Sequence, residues 1–166
     1  MAVTDLPSTP VDGNVLTLWV PAIANTLAPK LTELSASGVV DLSCYLVTNL
    51  ALGGDQASVP DPRACSLQDF EQPGKVTRTA SAEYINNPTR PTANKAQLTL
   101  VPGTSGFLVI RRGKAFDATL AVGDLVDVWP VTTGLQIDSA DSGQVLKTTQ
   151  KQFVIGPVRQ SVALVA

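Results

Sequence analysis

Apolar and polar positions along the chain fall into short runs with a period near two, punctuated by glycine and proline. Asn14–Val20 reads as a strand stopped by Pro21. Val39–Leu46 reads as a second, with Val40, Leu42, Cys44 and Leu46 on one face. Ala64–Phe70 is a short candidate. Gly74–Ile85 is a longer one, whose Val76, Arg78, Ala80 and Ala82 face differs from its Lys75, Thr77 and Thr79 face. The stretch Phe107–Gly134 predicts a pair of strands: it alternates up to Arg111-Arg112-Gly113, then again through Leu125-Val126-Asp127-Val128-Trp129. Its strands fall at Gly106–Arg112 and Asp124–Val131, and further runs follow at Leu135–Asp138, Val145–Ile155 and Val158–Val165. Gly156-Pro157 is read as the turn of a C-terminal hairpin over residues 144–166.

One helix is predicted. Thr92 caps a segment in which Ala93, Ala96, Gln97, Leu100 and Val101 share a face, and Pro102-Gly103 ends it. Two segments read as loops by composition, Gly53–Pro62 ("GGDQASVPDP") and Asn86–Thr92 ("NNPTRPT"). Both are long for a compact domain, which marks them as candidate binding surface. Seven or more strands around one helix predict a mainly β fold: an antiparallel β-sandwich or barrel with one flanking α-helix. The chain of 166 residues is read as a single domain with an N-terminal arm over 1–13. At that length it buries about two-thirds of its unfolded surface.

Composition adds a constraint. Apolar residues make up 44% and charged residues 16% of the chain, and this low charge implies apolar surface covered by a partner. The net charge of −2 provides no basic field for nucleic acid, yet it is unevenly spread. Residues 1–90 carry nine acidic and five basic side chains, whereas residues 91–166 carry five and seven. An acidic and a basic surface suit head-to-tail contact between identical copies. No run approaches the ~18 apolar residues of a membrane span. Met1–Asp5 lacks the features of a secretion signal, so a cytoplasmic product is expected, with Cys44 and Cys65 as buried thiols.

The search for chemistry is mostly negative. With no histidine, Ser-His-Asp and Cys-His units are excluded, and no Ser-x-x-Lys spacing exists. "VPGTSGFLV" lacks the Lys-Ser/Thr of a phosphate-binding loop. "DSADSG" at Asp138–Gly143 has its oxygens at the wrong offsets for calcium and reads as a solvated turn. Asp124 and Asp127 fall on opposite faces of a strand and read as surface charges. No enzyme, cofactor or metal is expected. Arg111-Arg112-Gly113-Lys114 resembles a nucleic-acid patch, but aromatics are only 5% of the chain. A hairpin tip with solvated or partner-facing charges is the preferred reading. An OB-type single-strand binder remains an alternative.

"DLSCYL" at Asp41–Leu46, "DPRACSLQDFEQPG" at Asp61–Gly74, "PGTSGFLVIRRG" at Pro102–Gly113 and "GDLVDVWPVTTG" at Gly123–Gly134 occur in this order. Together they resemble the tail tube (major tail) proteins of long-tailed, siphovirus-type phages of actinobacteria, over roughly Asn14 to Gly156. The resemblance implies a two-sheet sandwich whose copies close into six-membered rings, stacked into a hollow tube for the genome. It implies a virion tail protein assembled in the host cytoplasm, without surface decoration. Its partners would be further copies, the tape measure, tail terminator and distal tail proteins, and double-stranded DNA passing without specific binding, with no membrane. Gly53, Gly54, Asp55 and Asp61 are then expected at ring-to-ring contacts. Arg111, Arg112 and Lys114 are expected against an acidic patch of a neighbouring copy. Asp41 and Glu83 are expected to face the lumen. A tail terminator or head–tail connector, forming a single ring, is the nearest alternative.

Overall fold

The computed structural model describes residues 6–166; Met1–Asp5, the start of the expected arm, lie outside the described residues. The remainder of that arm, residues 6–13, has no regular strand or helix. Eight strands follow: β1 (Val15–Val20), β2 (Val40–Asp41), β3 (Ala51–Asp61), β4 (Phe70–Ile85), β5 (Ser105–Arg112), β6 (Leu125–Ser139), β7 (Lys147–Val154) and β8 (Arg159–Ala163). They form one antiparallel sheet in the order β2-β1-β5-β6-β7-β4-β3, with β8 added to β6. Two helices are short, α1 (Leu31–Leu34) and α2 (Lys95–Thr99), the latter preceded by a 3-10 turn at Pro91–Ala93. The fold is mainly β, as the sequence predicts. The single helix expected from Thr92 to Val101 is shorter: Asn94 precedes α2, while Ala96 and Leu100 still point into the core.

The strand pair β5–β6 sits at the centre, in register from Ser105↔Thr132 to Arg111↔Val126. Its alternation buries both faces. Leu108 and Ile110 join Trp19, Trp129 and Val131 in one core, which also receives Ala80, Ala82 and Tyr84 of β4 and Leu100 after α2. The sheet therefore folds over until β4 lies against β1, β5 and β6. Val109, Val126 and Val128 face the other way, into a second core with Leu16, Leu18, Leu34 and Leu164. Gly106 makes the first core possible: a Cβ there would lie 2.5 Å from the Trp19 ring.

Three sequence expectations change. Val39–Leu46 contributes only two residues of strand, because after Leu42, whose N–H still donates to the Thr17 carbonyl at 2.8 Å, the chain turns and the N–H groups of Tyr45 and Leu46 donate back to the Leu42 carbonyl. Leu135–Asp138 is no separate strand but the second half of β6, which bends at an irregularity between Thr133 and Gln136. The C-terminal hairpin is absent from the described residues. β7 and β8 both pair with β6, at Val131↔Val154 and onward and at Leu125↔Ala163 and onward. They lie in line along one edge of a strand long enough to hold both, and Gly156-Pro157 is the break between them.

The inner face of β7 is polar. Thr148, Gln150 and Gln152 are all buried. Gln150 Nε2 donates to the carbonyls of Leu100 and Gly134, each at 2.8 Å. Gln136 Nε2 donates to Gln97 and Leu100 at 2.9 and 3.1 Å, closing the end of α2. Tyr84 donates its hydroxyl to Gln150 Oε1 at 3.2 Å, and burial pushes its phenol pKa up to about 12.

Candidate assembly surfaces

Gly53–Pro62, expected as a loop, is most of strand β3. It pairs with β4 from Ala51↔Ser81 to Asp61↔Phe70, with an irregularity between Gln56 and Ser58. Beyond Gly54 and Arg78 the resulting hairpin has almost no buried side chain on either face. It is a two-stranded ribbon projecting from the body, and its outer edge on β3 is unpaired by any described strand. Gly53 and Gly54 lie where the ribbon leaves the body. A Cβ on Gly53 would stand 2.8 Å from Thr79 Oγ1, so the glycine admits that threonine. Asp55 lies on the ribbon opposite Thr77.

The ribbon's tip is ordered by its own polar groups. Ala64–Phe70, read as a short strand, is instead mostly this turn, with only Phe70 entering β4. Asp61 accepts from Arg63 and from Gln72, each at 3.0 Å, which lowers its pKa. Ser66 N–H donates to the Arg63 carbonyl at 2.9 Å, and Gln68 N–H donates to Ser66 Oγ at 3.1 Å. Leu67 stands fully exposed on this turn. Cys65 beside it and Cys44 are both exposed free thiols, against the expected burial, because each falls in a turn outside the two cores.

A second uncovered surface is the outer face of β4, β7 and the distal half of β6. Leu135 and Ile137 are 76% and 64% exposed there, and Phe153 is 50% exposed. These residues line a shallow groove of about 660 Å³ with Thr149 and Ser81. Glu83 shares this face but is half-buried and accepts from Lys147 Nζ at 3.0 Å. Asp41 is exposed and accepts from the Ser43 N–H at 2.8 Å, which shapes the turn after β2.

The basic cluster is not a solvated hairpin tip. Arg111 is 2% exposed; its guanidinium donates to the carbonyls of Ala115 and Ala118 at 2.7 and 2.8 Å and lies 3.5 Å from Asp124. It is thus withdrawn from the acidic patch of a neighbour that the sequence reading assigned to it. Its position shares the parity of Phe107 and Val109, which face the second core. Asp124 and Asp127, expected at the surface, are both buried. Lys114 Nζ binds Asp124, while Arg112 binds Asp127 at 2.6 Å. Lys114 chiefly, with the Ala121 N–H and Arg111, holds the Asp124 carboxyl below its ordinary range. These contacts pin the β5–β6 loop, whose two ends turn at Gly113 and Gly123 with φ of +84° and +91°. Arg112 and Lys114 nevertheless leave half their side chains in water.

Between the arm and the base of the ribbon lies an apolar recess of about 330 Å³, walled by Val11, Val15, Leu50, Leu52 and Ile110, with Arg112 on its lining. Sequence reasoning missed it, since its walls come from separate segments. Among the described residues no three His, Cys, Asp or Glu side chains gather as a metal would require. No helix among them is long and apolar enough to cross a membrane.

A chain of the six-fold symmetrised cryo-EM structure of the anti-feeding prophage (AFP) baseplate superposes with a TM-score of 0.52 at 11% identity. The match covers 93% of this chain and 96% of that one, a likeness of fold. No curated protein matches the chain. A family model described as phage tail tube protein matches residues 3–166, nearly the whole length, and the chain belongs to that family: it is a structural protein of a phage tail.

Proposed function

We propose that this chain closes into six-membered rings that stack into the hollow tail tube of a siphovirus-type phage of actinobacteria, through which DNA passes into the host. The observation that carries the reading is the amount of secondary structure left without a second layer. The β3–β4 ribbon is exposed on both faces, and Leu135, Ile137 and Phe153 stand in water beside it. A two-stranded ribbon is marginal by itself, and an open strand edge invites pairing. Repeated head-to-tail contact between copies covers all of these surfaces. The six-fold symmetry of the baseplate that shares the fold supports the number of copies.

In this arrangement the Gly53–Asp61 strand, with Asp55 and Asp61, reaches the next ring. The apolar end of the outer sheet face packs on a neighbour. Asp41 and Glu83 are our candidates for charge along the lumen, where carboxylates repel phosphate and let DNA slide. The tape measure, terminator and distal tail proteins meet the tube along its bore and at its ends, with assembly in the host cytoplasm and no catalytic step. Negative-stain electron microscopy at rising protein concentration tests the reading. Hollow tubes of uniform width are the expected result. Rings that never stack would overturn it in favour of a terminator or connector.

A further inference from the structure

We infer that Leu67, at the ribbon's tip, is a knob that enters the apolar recess of a second copy, the recess walled by Val11, Val15, Leu50, Leu52 and Ile110. The inference rests on the tube reading and names the two halves of its ring-to-ring contact.

Leu67 is fully exposed, and it is flanked by Ser66 and Gln68, whose mutual hydrogen bonds fix the turn that presents it. A large apolar side chain held outward by a preorganised turn loses little further freedom on docking. Its own chain offers no cover, since the ribbon carries it well away from the body. The recess is the complementary feature. Its walls are extensions of the first core, because Val15, Leu50 and Leu52 pack against that core from outside. Its volume of about 330 Å³ admits a branched aliphatic side chain.

Charge selects the same pairing. The tip and its flanks carry Asp61, Asp69 and Glu71 against Arg63 alone. On the lining of the recess, Arg112 leaves half its side chain in water while its partner, Asp127, is buried beneath it. An acidic tip therefore meets a half-exposed guanidinium on the recess lining, which steers encounter and sets orientation. The outer-face groove is a poorer receptor. It is shallower, and its Lys151 lies over the Phe153 ring at 5.2 Å. Knob and recess occupy different places on one chain, so the contact is heterologous and propagates instead of closing on itself.

Crosslinking tests this on the full chain with Cys44→Ser and Cys65→Ser as background. One batch carries Leu67→Cys and another Val11→Cys; the two are mixed, assembled and oxidised with glutathione disulfide. A disulfide-linked dimer is expected in tubes and not in dispersed subunits. Pairing Leu67→Cys with Ile137→Cys should give none. In parallel, Leu67→Asp should raise the concentration at which tubes appear by about tenfold or more, the size of one buried leucine. The substituted position is exposed, so folding is retained and is checked by circular dichroism. Tubes of Leu67→Asp at the wild-type concentration, or a dimer through Ile137→Cys, overturn the inference and leave the tube intact. A wild-type chain that forms no tubes overturns the reading beneath it.

Discussion

Replacing Arg111 by methionine keeps the length of the side chain and removes its guanidinium. In the native chain that group donates to two backbone carbonyls, at 2.7 and 2.8 Å, and lies 3.5 Å from a buried carboxylate. Its loss strands the carbonyl of Ala118, leaves that of Ala115 with the Ala118 N–H alone, and leaves Asp124 with Lys114 as its remaining ion-pair partner. A hydrogen bond to a charged group contributes about 1.5–3 kcal/mol. Breaking a buried pair from one side costs about 3–5 kcal/mol. These figures describe overlapping contacts, so the expected destabilisation is about 3–5 kcal/mol and not their sum. For a chain of this length the melting midpoint should fall by roughly 6–20 °C. Urea titration followed by tryptophan fluorescence reads the change, because Trp19 and Trp129 are both buried in the first core. It is run on protein that sedimentation shows to be dispersed subunits. Lys114→Met supplies the contrast: that side chain is 56% exposed and water screens its charge, so its loss should cost less than that of the buried Arg111. Should Arg111→Met cost under about 1 kcal/mol, no more than Lys114→Met, the clamp on the β5–β6 loop is refuted.

Other outcomes follow from the same structure. The folded-state pKa of Asp124 is depressed, so its contribution to stability is present above the ordinary value of 3.8 and lost as pH falls through the lowered one. Asp124→Asn should lose stability at neutral pH and flatten that acid-side decline, as read by urea midpoints across the range. Gly106→Ala places a methyl 2.5 Å from the buried Trp19 ring and should cost about 1–3 kcal/mol in the same assay. Cys44 and Cys65 should both react with a thiol reagent in the folded protein; protection of either contradicts the exposure described. Replacing residues 58–73 with an Asn-Gly turn should change the fold's stability by less than about 0.5 kcal/mol yet abolish tubes. Normal tubes from that variant would count against any role for the ribbon in assembly.

The central elements were legible in the sequence because each buries at least one face. β1, β5 and the first half of β6 alternate against two cores, and Gly113 marks the end of β5. The ribbon was not legible for the opposite reason. A period of two records burial, and beyond Leu52 and Gly53 β3 has almost nothing buried on either face; its Gly53-Gly54 and Pro60 then read as loop. Pro60 is tolerated because β3 is an edge strand, whose outer side needs no donor. The candidate contact residues were half legible. Asp55 and Asp61 do stand on a projecting element, but Arg111 was placed outward on charge alone. Its parity with Phe107 and Val109 was the available signal that it turns inward. The recess had no signal at all, since its walls join positions some hundred residues apart.

The buried glutamines carry a consequence for fidelity of folding. Along β7 an apolar pattern would normally say which side faces inward, but here it does not: the buried side is Thr148, Gln150 and Gln152, and the outer side ends in Phe153. A slip of one residue would lose only the partly buried Val154 as an apolar contact, and would tuck Phe153 inside in exchange. What forbids it is a pair of amide hydrogens aimed at the carbonyls of Leu100 and Gly134, which no shifted neighbour reaches. Gln150 is thus a proofreading residue, spending polarity in the interior to reject a plausible misalignment. Gln150→Leu should yield a chain that still collapses but populates more than one β7 alignment, visible as doubled amide resonances. In an assembly built from one repeated subunit, a single misaligned copy would spoil every contact around it.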